Sequence, residues 1–215
     1  MPDLSQTSPA AFNCQGGLVL NRSTFMMQPG EALELENFEP DIQGGYRRIN
    51  GFSKYVNAVV PQTASSSEPV LMVATFGDKV LAARGTSIFS ADPAGSSWTS
   101  IDRGRTSAGT YAFERYNFDG NDKIIVVDGA NAPTFFNTAL SATDVSASAV
   151  SGSKFVAAFK SHMFYAGKSS APQTLVFSQP FDEDAFSSGS GAGSIKVDDT
   201  ITGLKVFRDN LFIFC

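Results

Sequence analysis

The side chains able to do chemistry are few in this sequence, and they are scattered. His162 is the single histidine. It closes Lys160-Ser161-His162, a polar step between two hydrophobic runs, where a tight turn is expected. A Ser-His-Asp relay would have to use it, yet no Gly-x-Ser-x-Gly elbow presents a nucleophile. Turn or surface use is the expectation. Two acidic groups could offer oxygens to a cation: Asp119-Gly120-Asn121-Asp122, and Asp182-Glu183-Asp184 between Phe181 and Phe186. The first lacks the distal carboxylate that would complete a calcium shell. Asp-Gly and Asn accept the positive φ of a hairpin turn, which is the expected role. The second reads as a solvated loop. Cys14 and Cys215 are the two cysteines, enough for neither a zinc cluster nor a disulfide framework, and they fit a reducing cytoplasm. No Walker sequence or dinucleotide fingerprint is present, since the glycine-rich stretch 189–193 leads into a strand rather than a helix. The expectation is a protein that is not an enzyme and takes no cofactor or metal.

The run Ser90-Ala91-Asp92-Pro93-Ala94-Gly95-Ser96-Ser97-Trp98 comes close to the Asp-box of sialidase-like propellers, Ser-x-Asp-x-Gly-x-Thr/Ser-Trp, with one extra residue before the glycine. It is either such a box or an ordinary Ser/Asp/Pro/Gly turn capped by Trp98, and both are structural rather than catalytic.

The elements around these residues repeat. A hydrophobic strand, a polar turn and a second strand, usually ending at glycine, recur at Val73-Ala74-Thr75-Phe76 with Val80-Leu81-Ala82-Ala83, at Tyr116-Asn117-Phe118 with Ile124-Ile125-Val126-Val127, at Phe155-Val156-Ala157-Ala158-Phe159 with Met163-Phe164-Tyr165-Ala166, and at Leu204-Lys205-Val206-Phe207 with Leu211-Phe212-Ile213-Phe214. Aligned on Lys79, Lys123, His162 and Asn210, the hairpins are 44, 39 and 48 residues apart, the spacing of β-propeller blades. Further strands are expected at residues 87–90, 132–136 and 173–178. Sheets of this kind bury their two faces by stacking, so Phe76, Phe118, Phe159 and Phe207, each at the end of a first strand, are expected to pack between neighbours. The last strand has no turn or tail after it. The expectation is that blades missing here are supplied by further sequence or by neighbouring subunits.

Composition agrees with an all-β fold of β-propeller-like antiparallel repeats, partial or open. Nineteen phenylalanines favour strands, while nineteen glycines and ten prolines supply turns. The net charge of -5 argues against a static grip on phosphates, which needs a basic face. No secretory signal is visible in residues 1–15, and no apolar run approaches the roughly 20 residues of a membrane span, so no membrane anchor is expected. Three regions result: a flexible N-terminus over 1–15, a non-repeating arm over 16–52, and the repeat region over 53–215. Within the arm, Pro29-Gly30 reads as a turn, and 31–37 as a helix-like turn or a short strand, the former favoured. Glu31, Glu34, Glu36, Glu39 and Asp41 precede Arg47, Arg48 and Lys54. These are either two solvated surfaces or a docking segment whose two charge signs set register against a neighbour.

The arm resembles the opening of tailed-bacteriophage virion proteins of the tail nozzle, or packaged-DNA stabilisation, type. The matching residues are Gly16, Gly17, Leu18 and Asn21; Pro29, Gly30, Glu31 and Ala32; Leu35, Asn37 and Phe38; then Gly45, Arg47, Arg48 and Gly51. Ile195-Lys196-Val197 with Ile201-Thr202-Gly203-Leu204 and Arg208-Asp209-Asn210-Leu211 also looks like the strand opening a later blade in that family. The resemblance implies a structural subunit of the virion tail or neck, made in the host bacterial cytoplasm. It implies a homo-oligomeric ring, with a hexamer as one candidate, contacting portal- or adaptor-side and tail proteins while DNA passes without specific binding. It also implies a docking role for Gly16, Gly17, Leu18, Asn21, Pro29, Gly30, Glu31, Arg47 and Arg48. An acidic balance suits a channel wall, because like charge does not hold DNA. Two other readings stand beside it: a host-glycan-binding propeller of a phage tail, and a non-viral interaction propeller.

Overall fold

The computed structural model describes residues 16–42, 45–63, 68–93, 95–106 and 109–215. The expected flexible terminus 1–15, Cys14, the centre of the 61–69 loop and Ala94 of the Asp-box-like run lie outside the described residues. The chain divides into two compact units, one ending at Ser53 and one beginning at Lys54.

In the first unit, β1 (Gly17–Leu18) pairs in parallel with β2 (Glu31–Ala32), with a 3-10 turn at Thr24–Met26 between them. β3 (Phe38–Pro40) and β4 (Tyr46–Arg48) form an antiparallel pair in which Phe38 faces Arg48 and Pro40 faces Tyr46. The helix-like turn favoured for 31–37 is not formed. Once Pro29-Gly30 turns the chain, the backbone of 31–32 is taken up by the β1 ladder.

The second unit is all-β and repeats a four-stranded antiparallel meander. The first sheet is β5 (Val70–Phe76), β6 (Lys79–Arg84), β7 (Ser87–Ala91) and β8 (Thr99–Arg103). The second is β9 (Ala112–Tyr116), β10 (Lys123–Val127), β11 (Thr134–Phe136) and β12 (Ala142–Asp144). The third is β13 (Phe155–Phe159), β14 (His162–Ala166), β15 (Thr174–Phe177) and β16 (Gly193–Lys196), and the hairpin β17 (Gly203–Phe207) with β18 (Asn210–Phe214) follows. The first strands of successive sheets lie side by side, the radial order of propeller blades, and the described sheets do not close into a ring. Ile195-Lys196 closes the third sheet, pairing with Thr174-Leu175, so it does not open a later blade. That opening falls to β17.

Turn chemistry explains the hairpins. Lys160 and Ser161 have φ of 45° and 67°, and Arg208 and Asp209 of 46° and 59°, the paired positive values of a tight I′ turn. Gly77 alone is positive in Gly77-Asp78, at 58°, as in II′. The second repeat differs, because β9 ends at Tyr116 and residues 117–122 loop out before Lys123. The residue equivalent to Phe76, Phe159 and Phe207 by register is therefore Tyr116, not Phe118. Phe118 packs on the Tyr116 ring from the loop, with centroids 4.9 Å apart.

Stacking buries alternate residues on opposite faces, as a period of two requires. Ile124 and Val126 of β10 pack with Met72, Ala74, Phe76, Leu81 and Ile88 of the first sheet. Ile125 and Val127 pack with Val156, Met163 and Tyr165 of the third. All four β10 residues are 0% exposed, worth roughly 1.5–3 kcal/mol each in burial. Both faces being covered is why β10 reads as an unbroken apolar run. The expected set of equivalent phenylalanines is corrected here. Phe76 is buried, Phe118 and Phe159 are half-buried, and Phe207 is 57% exposed.

Candidate functional site

The residues of the nozzle resemblance converge in the first unit. Gly16 and Gly17 lie against Gly30 and Glu31: the Gly16 N–H donates to the Gly30 carbonyl at 3.1 Å, and Gly17 pairs with Glu31. A Cβ on Gly16 would meet the Glu31 backbone nitrogen at 2.7 Å and its Cα at 2.8 Å, so only glycine permits this approach. The Glu31 N–H donates to the Gln28 carbonyl at 3.1 Å, closing a turn with Pro29 second and Gly30 (φ 91°) third. That is the type II pattern, in which the third position calls for glycine. Tyr46 Oη donates to the Gly30 carbonyl at 3.4 Å, tying β4 to the same turn. Leu18 is half-exposed beside Ala32, while Asn21 and Pro29 face solvent.

The charges here are sorted rather than all solvated. Glu31 accepts from Arg22 Nη1 at 3.0 Å and from the Gln28 N–H at 2.8 Å, and Glu39 pairs with Arg47 at 2.7 Å. Arg22 is the partner that sequence reading missed. Glu34, Glu36 and Arg48 are exposed and have no ion-pair partner among the described residues. Among residues 16–53, Gly30 is the one described residue that is buried. Leu20, Phe25, Met26, Phe38, Ile42 and Phe52 are all exposed, Phe25 at 97% and Phe52 at 94%. Among its described residues the unit buries none of its large apolar side chains, and turns and hydrogen bonds hold its two strand pairs. A groove of about 420 Å³ runs along it, lined by Ala32, Glu34, Leu35, Glu36, Phe38 and Tyr46 among others.

In the second unit the polar residues that the sequence singles out are held by neighbouring groups. Asp119 accepts from the Asn121 N–H at 3.2 Å and from Lys123 Nζ at 3.3 Å within the 117–122 loop. Asp182-Glu183-Asp184 is not a solvated loop. Glu183 is 3% exposed and accepts from Lys123 Nζ at 2.8 Å, its carbonyl accepts from Tyr165 Oη at 2.9 Å, and Asp184 accepts from the Ser146 N–H at 3.0 Å. The Tyr116 hydroxyl is buried with no partner at hydrogen-bond distance among the described residues, and burial, followed by the nearby Glu183 carboxylate, pushes its pKa up. His162 is half-buried, its Nδ1 2.6 Å from the Ser178 carbonyl and its ring edge-on to Phe177. Trp98 Nε1 donates to the Ala58 carbonyl at 3.0 Å, and Asp92 pairs with Lys79, so the Asp-box-like run fastens a turn to the first sheet.

A buried ion network that sequence reading did not find pins the chain between the first and second sheets. Arg105 donates to Asp128 Oδ2 from Nε at 3.1 Å and from Nη2 at 2.7 Å, and from Nη1 to Asp102 Oδ2 and Thr134 Oγ1, both at 2.7 Å. The Asp128 side chain is 0% exposed and that of Arg105 4%. Burial opposes the Asp128 charge, but the N–H groups of Asn131 and Ala130, the Asn131 side chain and Arg105 outweigh it and hold its pKa below the ordinary value. Burial likewise opposes the Arg105 charge, and Asp102 and Asp128 overcome it and raise the pKa further.

Among the described residues no cluster of three or more His, Cys, Asp or Glu could hold a metal ion, and no helix is long and apolar enough to cross a membrane. No protein-family model matches the chain, and no curated protein does. Solved structures that it is similar to include the N-terminal domain of Nup159, at 8% identity and a TM-score of 0.44 over 65% of this chain and 37% of that one. Two crystals of BBS1N in complex with ARL6DN match at 11% identity. One has a TM-score of 0.43 over 72% of this chain and 50% of that one, the other 0.38 over 63% and 43%. The chain thus spans half or less of the length of these structures.

Proposed function

We propose that this chain is a non-catalytic structural subunit of a bacteriophage tail or neck, a nozzle-like ring component through which DNA passes. In this reading the unit ending at Ser53 is the docking arm and the stacked sheets form the wall. The observation that carries the proposal is the arm itself. Gly16, Gly17, Leu18, Pro29, Gly30, Glu31 and Ala32 of the nozzle resemblance come together at the Gly30 turn, and the same unit leaves Leu20, Phe25, Met26, Phe38, Ile42 and Phe52 exposed, as a segment made for contact with other subunits does. The polar residues of the second unit that sequence chemistry singled out are engaged in turns and ion pairs, which suits a wall rather than a reaction site. The net charge of -5 suits a surface over which DNA slides. The test is negative-stain microscopy of the full chain and of a variant lacking 16–52. Rings from the full chain and none from the variant are expected. Intact rings without the arm would overturn the assignment of docking to it.

A further inference from the structure

Resting on that reading, the geometry of the arm points to its partner: we propose that the groove beside β2 and β3 of one copy receives the 48–52 segment of a neighbouring copy. The groove is lined by the half-buried Ala32, Leu35 and Tyr46 and by the exposed Phe38, with the exposed Glu34 and Glu36 at its rim. Both carboxylates are exposed and lack an ion-pair partner among the described residues, whereas Glu31 and Glu39 are already engaged by Arg22 and Arg47. The rim therefore offers two free negative charges at alternate positions beside an apolar trough.

The same unit carries the complement. Arg48 is exposed and has no ion-pair partner among the described residues, in contrast to Arg47. It is followed by Ile49 and Phe52, exposed by 39% and 94%. A cation with two apolar side chains just beyond it matches a trough with two carboxylates on its rim. Opposite charges then set the register, and the apolar groups supply the contact. Arg48 faces Phe38 across the β3–β4 pair, so the inserted segment adjoins the groove of its own copy; a contact in which one copy gives its segment and the next its groove is heterologous, and repetition of it closes into a ring when the rotation between copies closes. A volume of about 420 Å³ is of the size that takes side chains rather than a flat face, inside the ~300–1,000 Å³ of ordinary binding pockets.

The test is sedimentation velocity on the full chain with charge reversals at exposed positions, which leave the turn at Gly30 untouched. The wild type is expected to assemble at low salt and to dissociate as salt screens the pairs. E34K/E36K and R48E are each expected to weaken assembly at least tenfold in concentration. Mixing the two variants is expected to restore assembly with the two alternating, because Arg48 of the first meets Glu34 and Glu36 of the second, and the reversed charge at 48 in the second meets the reversed charges at 34 and 36 in the first. The triple variant E34K/E36K/R48E, with the charges exchanged, is expected to regain assembly. Assembly unaffected by the reversals, or a triple variant no better than R48E, would overturn the inference while leaving a ring with another interface intact. A wild type that stays monomeric throughout would overturn it too, and would count against the ring reading with it.

Discussion

Replacing Arg105 by alanine tests the physical account of the stacked sheets. The guanidinium makes two bonds to Asp128 and one each to Asp102 and Thr134, and the Asp128 carboxylate it faces is wholly buried. Removing one partner of a buried pair leaves an uncompensated charge, which costs about 3–5 kcal/mol. For a domain of this size, at ~2–4 °C per kcal/mol, Tm should fall by roughly 6–20 °C in a circular-dichroism melt. The pH dependence gives a second readout. The folded pKa of Asp128 is depressed, so its contribution is present above the unfolded value near ~3.9 and is lost as pH falls through the folded one. In R105A the carboxylate keeps its backbone donors but loses its cation. The gap between wild type and variant should therefore narrow as acid protonates Asp128. The double variant R105A/D128A should lose less than the two single losses combined. A loss below about 1 kcal/mol in R105A at neutral pH, or a gap that widens in acid, would refute the reasoning.

Other outcomes follow from the same structure. Phe76→Ala should cost about 3–5 kcal/mol in denaturant melts, as a buried aromatic does, whereas Phe207→Ala, at a position 57% exposed, should cost under about 1 kcal/mol; equal losses would contradict the unequal packing. Tyr116→Phe removes a buried hydroxyl that has no hydrogen-bond partner among the described residues and should leave stability unchanged or raise it by up to ~1 kcal/mol, and a clear loss would show that the hydroxyl is engaged. Gly16→Val should break the β1–β2 pair, since its Cβ would overlap the Glu31 backbone. Hydrogen exchange at the amides of positions 16 and 19, which in the native chain donate to Gly30 and Ala32, should then become fast, and retained protection would contradict the close approach.

Much of the repeat region is legible in the sequence because its signals are local. Two-residue turns and period-two burial place Lys79, His162 and Asn210 at the starts of their strands. The second hairpin misleads at Phe118, since a longer loop shifts the register and a tyrosine takes the phenylalanine position. Ile195-Lys196 misleads in the other direction, because a strand's pairing partner is set by the sheet and not by its own residues. Glu183 looks solvated among three acids, and its cation, Lys123, lies 60 residues away. Arg105 is equally invisible, standing in a Gly-Arg-Thr step whose partner is 23 residues on. A hint was present in Asp128-Gly129-Ala130-Asn131, where an Asp side chain that turns the chain onto its own following N–H groups is preorganised to hold a cation. In the arm the Pro-Gly turn was readable, whereas the parallel pairing of 17–18 with 31–32 depends on a contact that neither stretch announces.

The proposed function stands on the claim that this chain forms part of a ring on a phage tail axis, and cryo-electron microscopy of particles of the phage to which that proposal assigns it is the most direct measurement. The account predicts density on the tail axis into which the three stacked four-stranded sheets fit once per subunit, with the 16–52 unit reaching the neighbouring copy. Purified infectious particles that lack this chain, or that carry it off the axis as a peripheral appendage, would contradict it.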